Sequence, residues 1–323
     1  MPNSKPAIAV LGGGSFGTAI GVAATRSGHK VSLICRTEQQ AEVIRSTGKN
    51  SAYFPDITIP ALVVASSDIQ ICLEADIVFI AIPARFIDQY LEVIVKNMKP
   101  GSMVVNLVKG LDSKYLTFAE HFQANASAVE YVALKGPTFA RPLLLGELSG
   151  LTIGARNRDA EQRLRSVFAK ASLDFDTSYS PASVDMVSAL KNVYAIILGV
   201  AASLNMSDNT RFMIITRIIA EARQVLESLG MDGSVINMYC GIGDILLTGM
   251  CDTSRNRTLG VMIGKGIPVD ANRPDFLAEG VRSVRIILQH LEPGVAPLIE
   301  HMAQVLDAKS TPGMMIEEII HRH

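Results

Sequence analysis

Gly12, Gly14 and Gly17 recur at a spacing that cradles phosphate. They lie in the run Gly12-Gly13-Gly14-Ser15-Phe16-Gly17-Thr18-Ala19, which follows apolar residues 7–11 and opens a helical pattern. In such a loop the first glycine makes the tight turn, the second lets backbone approach a pyrophosphate, and the third lets the helix pack on the strand. The helix start adds unpaired N–H groups and the positive end of a dipole. The pattern points to a bound dinucleotide. About 20 residues further on, an acid at the end of the second strand would bind the ribose 2′-hydroxyl of NAD. Cys35-Arg36-Thr37 stands there instead. A guanidinium suits a 2′-phosphate, so NADP is expected in preference to NAD, against the plainer reading of Arg36 as a solvated loop residue.

A second set of residues suits proton transfer and anion binding. Lys191 and Asn192 stand directly before apolar residues 193–204, inside what should be a mostly buried helix. An unpaired buried ammonium is costly. The functional reason to place one there is proton transfer, because desolvation and a neighbouring cation such as Lys109 lower its pKa toward neutrality. The plainer alternative is a lysine snorkelling into solvent. Lys109 follows apolar residues 103–108, so it projects from the carboxyl end of a strand, where open α/β sheets bind ligands. Gly136-Pro137-Thr138 follows another strand end and offers N–H groups and a hydroxyl, although an ordinary turn reads the same way. Asp244 and Thr248 are four apart in a helical run and can face one site, with Asp244 orienting Lys191 or binding a substrate hydroxyl. Ser254, Arg255 and Asn256 bring together a hydroxyl, a guanidinium and an amide. That set can hold a phosphate monoester by charge-assisted bonds; taken alone it is also an exposed polar turn.

These positions need a frame. Up to about residue 180, apolar runs at residues 7–11, 31–35, 62–65, 77–82, 103–108, 131–134 and 151–153 alternate with helical patterns. Such alternation predicts parallel βαβ units. Runs that are apolar throughout predict strands covered by helices on both faces, as in a Rossmann-type doubly wound α/β sheet. After Ser180-Pro181 the pattern becomes all-helical, with helices over 184–204, 214–229, 281–291 and 314–320. We therefore expect a dinucleotide-binding domain over 1–180 and a helical substrate domain over 181–323, with Pro181 in the first turn of a long helix.

Bulk composition narrows the function classes. At 323 residues the chain suits two cores. A net charge of -1 leaves no basic field for nucleic acid or an anionic membrane surface. Cys35, Cys72, Cys240 and Cys251 form no CxxC pair and suit buried thiols in a reducing compartment, so a cytoplasmic protein is expected. Residues 193–204 are too short to span a bilayer, which needs about 20 residues, and no secretory signal precedes them. The histidines and acids show no metal-ligand spacing, so no metal is expected.

The landmarks Gly12 to Ala19, Lys109-Gly110, Gly136-Pro137-Thr138-Phe139-Ala140, Lys191-Asn192-Val193, Gly241-Ile242-Gly243-Asp244, Ser254-Arg255-Asn256-Arg257 and Glu279-Gly280 occur in an order that resembles the bacterial-type NAD(P)-dependent glycerol-3-phosphate dehydrogenase family. The resemblance spans nearly the whole chain. It implies reversible reduction of dihydroxyacetone phosphate to sn-glycerol 3-phosphate, for glycerophospholipid synthesis, with Lys191 as proton donor to the carbonyl and acceptor in reverse. It further implies substrate contacts from Lys109, Gly136, Thr138, Lys191, Asn192, Asp244, Thr248, Ser254, Arg255 and Asn256. Cofactor contacts are implied for Gly12, Gly14, Ser15, Phe16, Gly17, Arg36, Tyr53, Lys109, Ala140, Arg255, Leu277 and Glu279. A homodimer is left open. The chain departs from the family at Arg141-Pro142, where a glutamate usually stands at the second position, and over 197–207, where Gly199 is the one glycine of a usually glycine-rich stretch. Both changes border the expected pocket. Two other readings stay open: a related dehydrogenase acting on another small phosphorylated alcohol or, as in the hydroxyacid or ketopantoate reductase kind, on a carboxylated one, and a nonenzymatic NADP sensor.

Overall fold

The structure is a computed structural model that describes residues 5–112, 114–125, 128–204, 206–267 and 279–321. Leu277 lies outside the described residues. Two compact units form: Met1–Val108 with Phe118–Pro181, and Lys109–Thr117 with Ala182–His323. The segment Lys109–Thr117 thus groups with the helical half, which a single cut near residue 180 does not describe.

The first unit runs β1 (Ile8–Leu11), α1 (Ser15–Thr25), β2 (Val31–Ile34), α2 (Glu38–Thr47), β3 (Val63–Ser66), α3 (Gln70–Glu74), β4 (Ile77–Ile80), α4 (Ile87–Asn97), β5 (Met103–Asn106), α5 (Phe118–Asn125), β6 (Glu130–Lys135), α6 (Ala140–Leu145), β7 (Ser149–Gly154), α7 (Arg158–Val167) and β8 (Leu173–Ser178). The strands form one sheet in the order β3-β2-β1-β4-β5-β6-β7-β8. Every residue of β1, β4 and β5 is buried, as continuous apolar runs under two helical layers require. The strand order reverses beside β1, so its carboxyl end, where the glycine loop begins, is the switch point at which open sheets bind ligands.

Two features of the sheet differ from expectation. β7 pairs antiparallel with β6, with Lys135 opposite Thr152, and β8 adds an unexpected strand parallel to β7. A parallel return after β6 needs a crossover that travels back along the strand. After α6 the chain instead runs back beside β6 as β7. β8 escaped notice because its residues alternate apolar and polar, Leu173-Asp174-Phe175-Asp176, at a sheet edge.

The second unit contains α8 (Pro181–Ser203), α9 (Asp208–Ser228), α10 (Asp244–Met250), α11 (Arg255–Gly264), α12 (Glu279–Leu288), α13 (Pro297–Leu306) and α14 (Pro312–His321). Proline opens α8, α13 and α14, where its missing N–H has no intrahelical partner to lose. α8 extends well beyond its apolar run, and by length and composition alone it could cross a membrane. Its most apolar stretch is 89% buried inside the protein, which makes it the unit's central core helix. Gly199 explains itself here. A Cβ on Gly199 would strike the Arg257 carbonyl, and one on Gly260 the Ile196 carbonyl, so the backbones of α8 and α11 touch.

Glu221 of α9 ties three helices together. Its buried carboxylate accepts from the Tyr194 hydroxyl on α8 at 3.2 Å and from the Leu298 and Ile299 N–H groups at the start of α13, at 2.6 and 3.3 Å. Burial pushes this carboxyl up to about 7; the three donors pull it back and Glu300 adds to the rise. Because the ordinary value is 4.5, the folded state holds the proton more tightly than the unfolded chain does. The group's contribution to stability is therefore full below about 4.5 and lost as pH rises through about 7. Glu221→Gln removes the titration. Denaturant unfolding should show the variant gaining on the parent as pH rises toward 7, with a constant difference above. A difference that does not change with pH would contradict the assignment.

Candidate active site

Asp244 is the centre of the second unit's polar cluster. It begins α10, is 1% exposed, and faces two ammonium groups. Lys191 Nζ on α8 donates to Oδ1 at 2.6 Å, and Lys109 Nζ donates to Oδ2 at 2.9 Å. Thr248, one turn along α10, accepts from Lys191 at 2.9 Å and donates to Asp244 Oδ1 at 3.2 Å. Asp244 and Thr248, at i, i+4 spacing, thus face one site, and both meet Lys191 there. Burial drives the Lys191 pKa down to about 7; Lys109 pushes the same way and Asp244 opposes both. For Asp244, burial favours the neutral acid, but the two lysines outweigh it and hold the carboxyl below its ordinary value. The cluster therefore contains a buried amine that can gain or lose a proton near neutral pH.

An amide pair continues from this cluster. Asn192 Nδ2 donates to the Lys109 carbonyl at 3.0 Å, Asn256 Nδ2 donates to Asn192 Oδ1 at 2.9 Å, and Gly280 N donates to Asn256 Oδ1 at 3.1 Å. The close crossing of α8 and α11 brings the two asparagines together. The second Asn256 amide hydrogen is not used in these bonds. Ser254 is the N-cap of α11, accepting from Arg257 N at 3.3 Å, so its hydroxyl already has a structural role. Arg257 pairs with Asp252, whereas Arg255 is exposed at the first position of α11. Glu279 opens α12 and is half-buried.

In the first unit, Gly12 has φ +121°, and a Cβ there would lie 2.5 Å from the Ala81 carbonyl oxygen. A Cβ on Gly17 would collide with the Gly12 carbonyl, so α1 starts hard against β1. A Cβ on Gly14 would meet nothing within 4 Å. Gly14 therefore faces open space, and no side chain caps the first turn of α1, Ser15, Phe16 and Gly17. That opening fits a pyrophosphate. Arg36 is exposed just past β2, and Tyr53 is 49% exposed in the turn after α2. Thr138 donates to the Gly150 carbonyl at 3.1 Å, Gly136 is packed against the same strand, and Ala140 begins α6. Pro142 occupies the third position of α6, where no helical hydrogen bond is lost, and Arg141 makes a bidentate pair with Asp56, at 3.2 and 2.5 Å.

Sequence reading missed Asn50 and Gln40. Both side chains donate to the Gly13 carbonyl, at 2.9 and 2.7 Å. A buried polar residue among Lys49, Ser51 and Tyr53 carries no periodic signal, so only the fold reveals its partner. A cavity of about 300 Å³ lined by Gly101, Glu130, Asn157, Asp159 and Arg163 contains none of the expected residues. Arg163 spends its guanidinium on the Gly101 and Asp76 carbonyls.

Comparison with known proteins places this geometry. Residues 7–161 match the N-terminus, and residues 181–317 the C-terminus, of NAD-dependent glycerol-3-phosphate dehydrogenase. A relative from Pseudomonas fluorescens, glycerol-3-phosphate dehydrogenase [NAD(P)+], is 31% identical over 98% of this chain and 94% of its own. The crystal structure of the glycerol-3-phosphate dehydrogenase from Coxiella burnetii superposes with a TM-score of 0.87 at 22% identity, covering 98% of this chain and 99% of that one. The 2-dehydropantoate 2-reductase from Methylococcus capsulatus shares the fold more loosely, with a TM-score of 0.59 at 15% identity over 94% and 97% of the two chains.

The ionic cluster makes an ordered prediction about stability. Asp244→Asn leaves the buried Lys191 without its counter-charge and should cost about 3 kcal/mol. Lys191→Met leaves Asp244 still paired with Lys109 and should cost less. Urea unfolding of both variants checks the order, and a larger loss in Lys191→Met would contradict it.

Proposed function

The chain belongs to the NAD-dependent glycerol-3-phosphate dehydrogenase family, and we propose that it reduces dihydroxyacetone phosphate to sn-glycerol 3-phosphate, reversibly, with Lys191 as the proton donor. The observation that carries this reading is the buried Lys191 ammonium held between Asp244 and Thr248, with a pKa near 7. NAD(P)H supplies the hydride, from nicotinamide C4 to the ketone carbon. Lys191 gives a proton to the carbonyl oxygen and is left as the amine, so the product is the alcohol. In the reverse direction the amine takes the hydroxyl proton. Asp244 holds the ammonium in place and, with Thr248, leaves one of its three hydrogens for the substrate oxygen. Lys109, anchored through both its carbonyl and its ammonium, presents a second positive charge beside the developing alkoxide.

Arg255 and the free hydrogen of Asn256 hold the substrate phosphate at the start of α11, whose dipole also favours an anion. Anchoring the phosphate orients the ketone, and orientation of this kind lowers the barrier by as much as about 7 to 11 kcal/mol. Gly136 and Thr138 complete the substrate contacts by family resemblance. The dinucleotide is held by the loop from Gly12 to Gly17, with Tyr53, Lys109, Ala140, Arg255 and Glu279 assigned to it on the same footing. Arg36 favours NADP by pairing with the 2′-phosphate. Cys35, Cys72, Cys240 and Cys251 form no disulfide among the described residues, which suits a cytoplasmic site of action, where the product feeds glycerophospholipid synthesis.

Purified protein should oxidise NADPH when given dihydroxyacetone phosphate. Activity confined to nonphosphorylated 2-keto acids would reject the substrate. Lys191→Ala should lower kcat by about 100- to 10,000-fold while NADPH still binds, as expected for loss of a general acid; an unchanged kcat would remove Lys191 from the mechanism. Arg36→Ala should reduce the NADPH-to-NADH ratio of kcat/KM by about ten- to a hundredfold, the worth of a charged hydrogen bond. A ratio unmoved by the substitution would discard the 2′-phosphate assignment.

A further inference from the structure

Gly13 and Gly14 turn their carbonyls into the protein, and three side chains hold them there. Asn50, 1% exposed, donates from Nδ2 to the Gly13 carbonyl at 2.9 Å and to Thr18 Oγ1 at 2.8 Å. Gln40 Nε2 donates to the same Gly13 oxygen at 2.7 Å. Thr18 Oγ1 in turn donates to the Gly14 carbonyl at 2.8 Å. The orientation of the Asn50 amide is unambiguous. A carbonyl oxygen only accepts, so the atom facing Gly13 must be the nitrogen. The single Thr18 hydrogen goes to Gly14, so Thr18 must accept from that same nitrogen.

A trans peptide points its C=O and the following N–H in opposite directions, and the described chain contains no cis bond. Fixing the Gly13 carbonyl inward therefore fixes the Gly14 N–H outward. Fixing the Gly14 carbonyl does the same for Ser15 N–H. A Cβ on Gly14 would meet no neighbour within 4 Å, so the loop is open at the residue between these groups. Asn50 also starts the next turn, because its carbonyl accepts from Tyr53 N at 3.0 Å and Phe54 N at 2.8 Å. One residue thus orients the loop with its side chain and sets the turn bearing Tyr53 with its backbone.

We propose that Asn50, assisted by Gln40, is the positioning residue that aims the Gly14 and Ser15 N–H groups at the dinucleotide pyrophosphate. The proposal rests on the dinucleotide-binding reading above. Its signature is a loss common to every ligand that carries the pyrophosphate, because the aimed groups do not touch the 2′-phosphate.

The test is calorimetric titration of the parent, Asn50→Asp and Gln40→Ala with NADPH, NADH and ADP-ribose. Asn50→Asp keeps the size of the side chain but replaces the donor with a carboxylate facing a carbonyl. Gln40→Ala sits on a half-buried helix position and spares the fold. The expected result is a rise in Kd of about tenfold or more for Asn50→Asp and a smaller rise for Gln40→Ala. The factor should be similar for all three ligands, and in steady state it should fall on cofactor KM more than on kcat. Folded variants that bind all three like the parent would overturn the proposal, as would a loss confined to NADPH. A parent that binds none of the ligands would instead overturn the dinucleotide reading on which the proposal stands.

Discussion

One carboxylate between two lysine side chains organises the polar cluster of the helical unit. Asp244 sits almost wholly out of water, and so does Lys191. Neither charge could be buried alone without a large penalty. Together, with Thr248 and Lys109 completing the hydrogen bonds, they are tolerated. The balance is deliberately incomplete: burial and Lys109 favour the neutral amine, Asp244 favours the ammonium, and the outcome lies near neutral pH. A stronger counter-charge would leave a lysine that never releases its proton, and a weaker one a lysine that never holds it.

The helical frame exists to keep that balance in place. α8 is buried along nearly all of its length, so Lys191 cannot swing out to solvent as a surface lysine would. The backbone contact of α8 with α11 at Gly199 and Gly260 sets the distance at which Asn192 meets Asn256. Through Asn192, the same crossing fixes the Lys109 backbone. Gly199 survives in a stretch that is otherwise poor in glycine because a side chain there would push the two helices apart. In the other unit a similar economy appears, since Asn50 and Gln40 both hold the glycine loop by its Gly13 carbonyl.

The sequence made β1 to β7, the glycine loop and the long helices legible because each carries a local signal: an apolar run, a fixed spacing or a 3.6-residue period. The shared face of Asp244 and Thr248 was readable for the same reason, since i, i+4 spacing places two side chains together, whereas the contact of Thr248 with Lys191 appears only in the fold. Pairings between distant segments were not readable. Nothing near Asn50 announces that it meets Gly13, and nothing near Glu221 announces that it meets Leu298 and Ile299. The antiparallel pairing of β7 with β6 was hidden because a short apolar run carries no signal of strand direction. Ser254 and Asn256 were recognised by type, but their structural bonds to Arg257, Asn192 and Gly280 appear only in the fold.

The central claim is that Lys191 exchanges a proton with the substrate oxygen at a pKa near 7. The most direct measurement is the pH dependence of kcat in both directions across the neutral range, at saturating cofactor and substrate. Reduction requires the ammonium and should fall as pH rises through about 7, while oxidation requires the free amine and should rise over the same interval. A reduction rate that stays flat across neutrality, or that moves in the same sense as oxidation, would contradict the account.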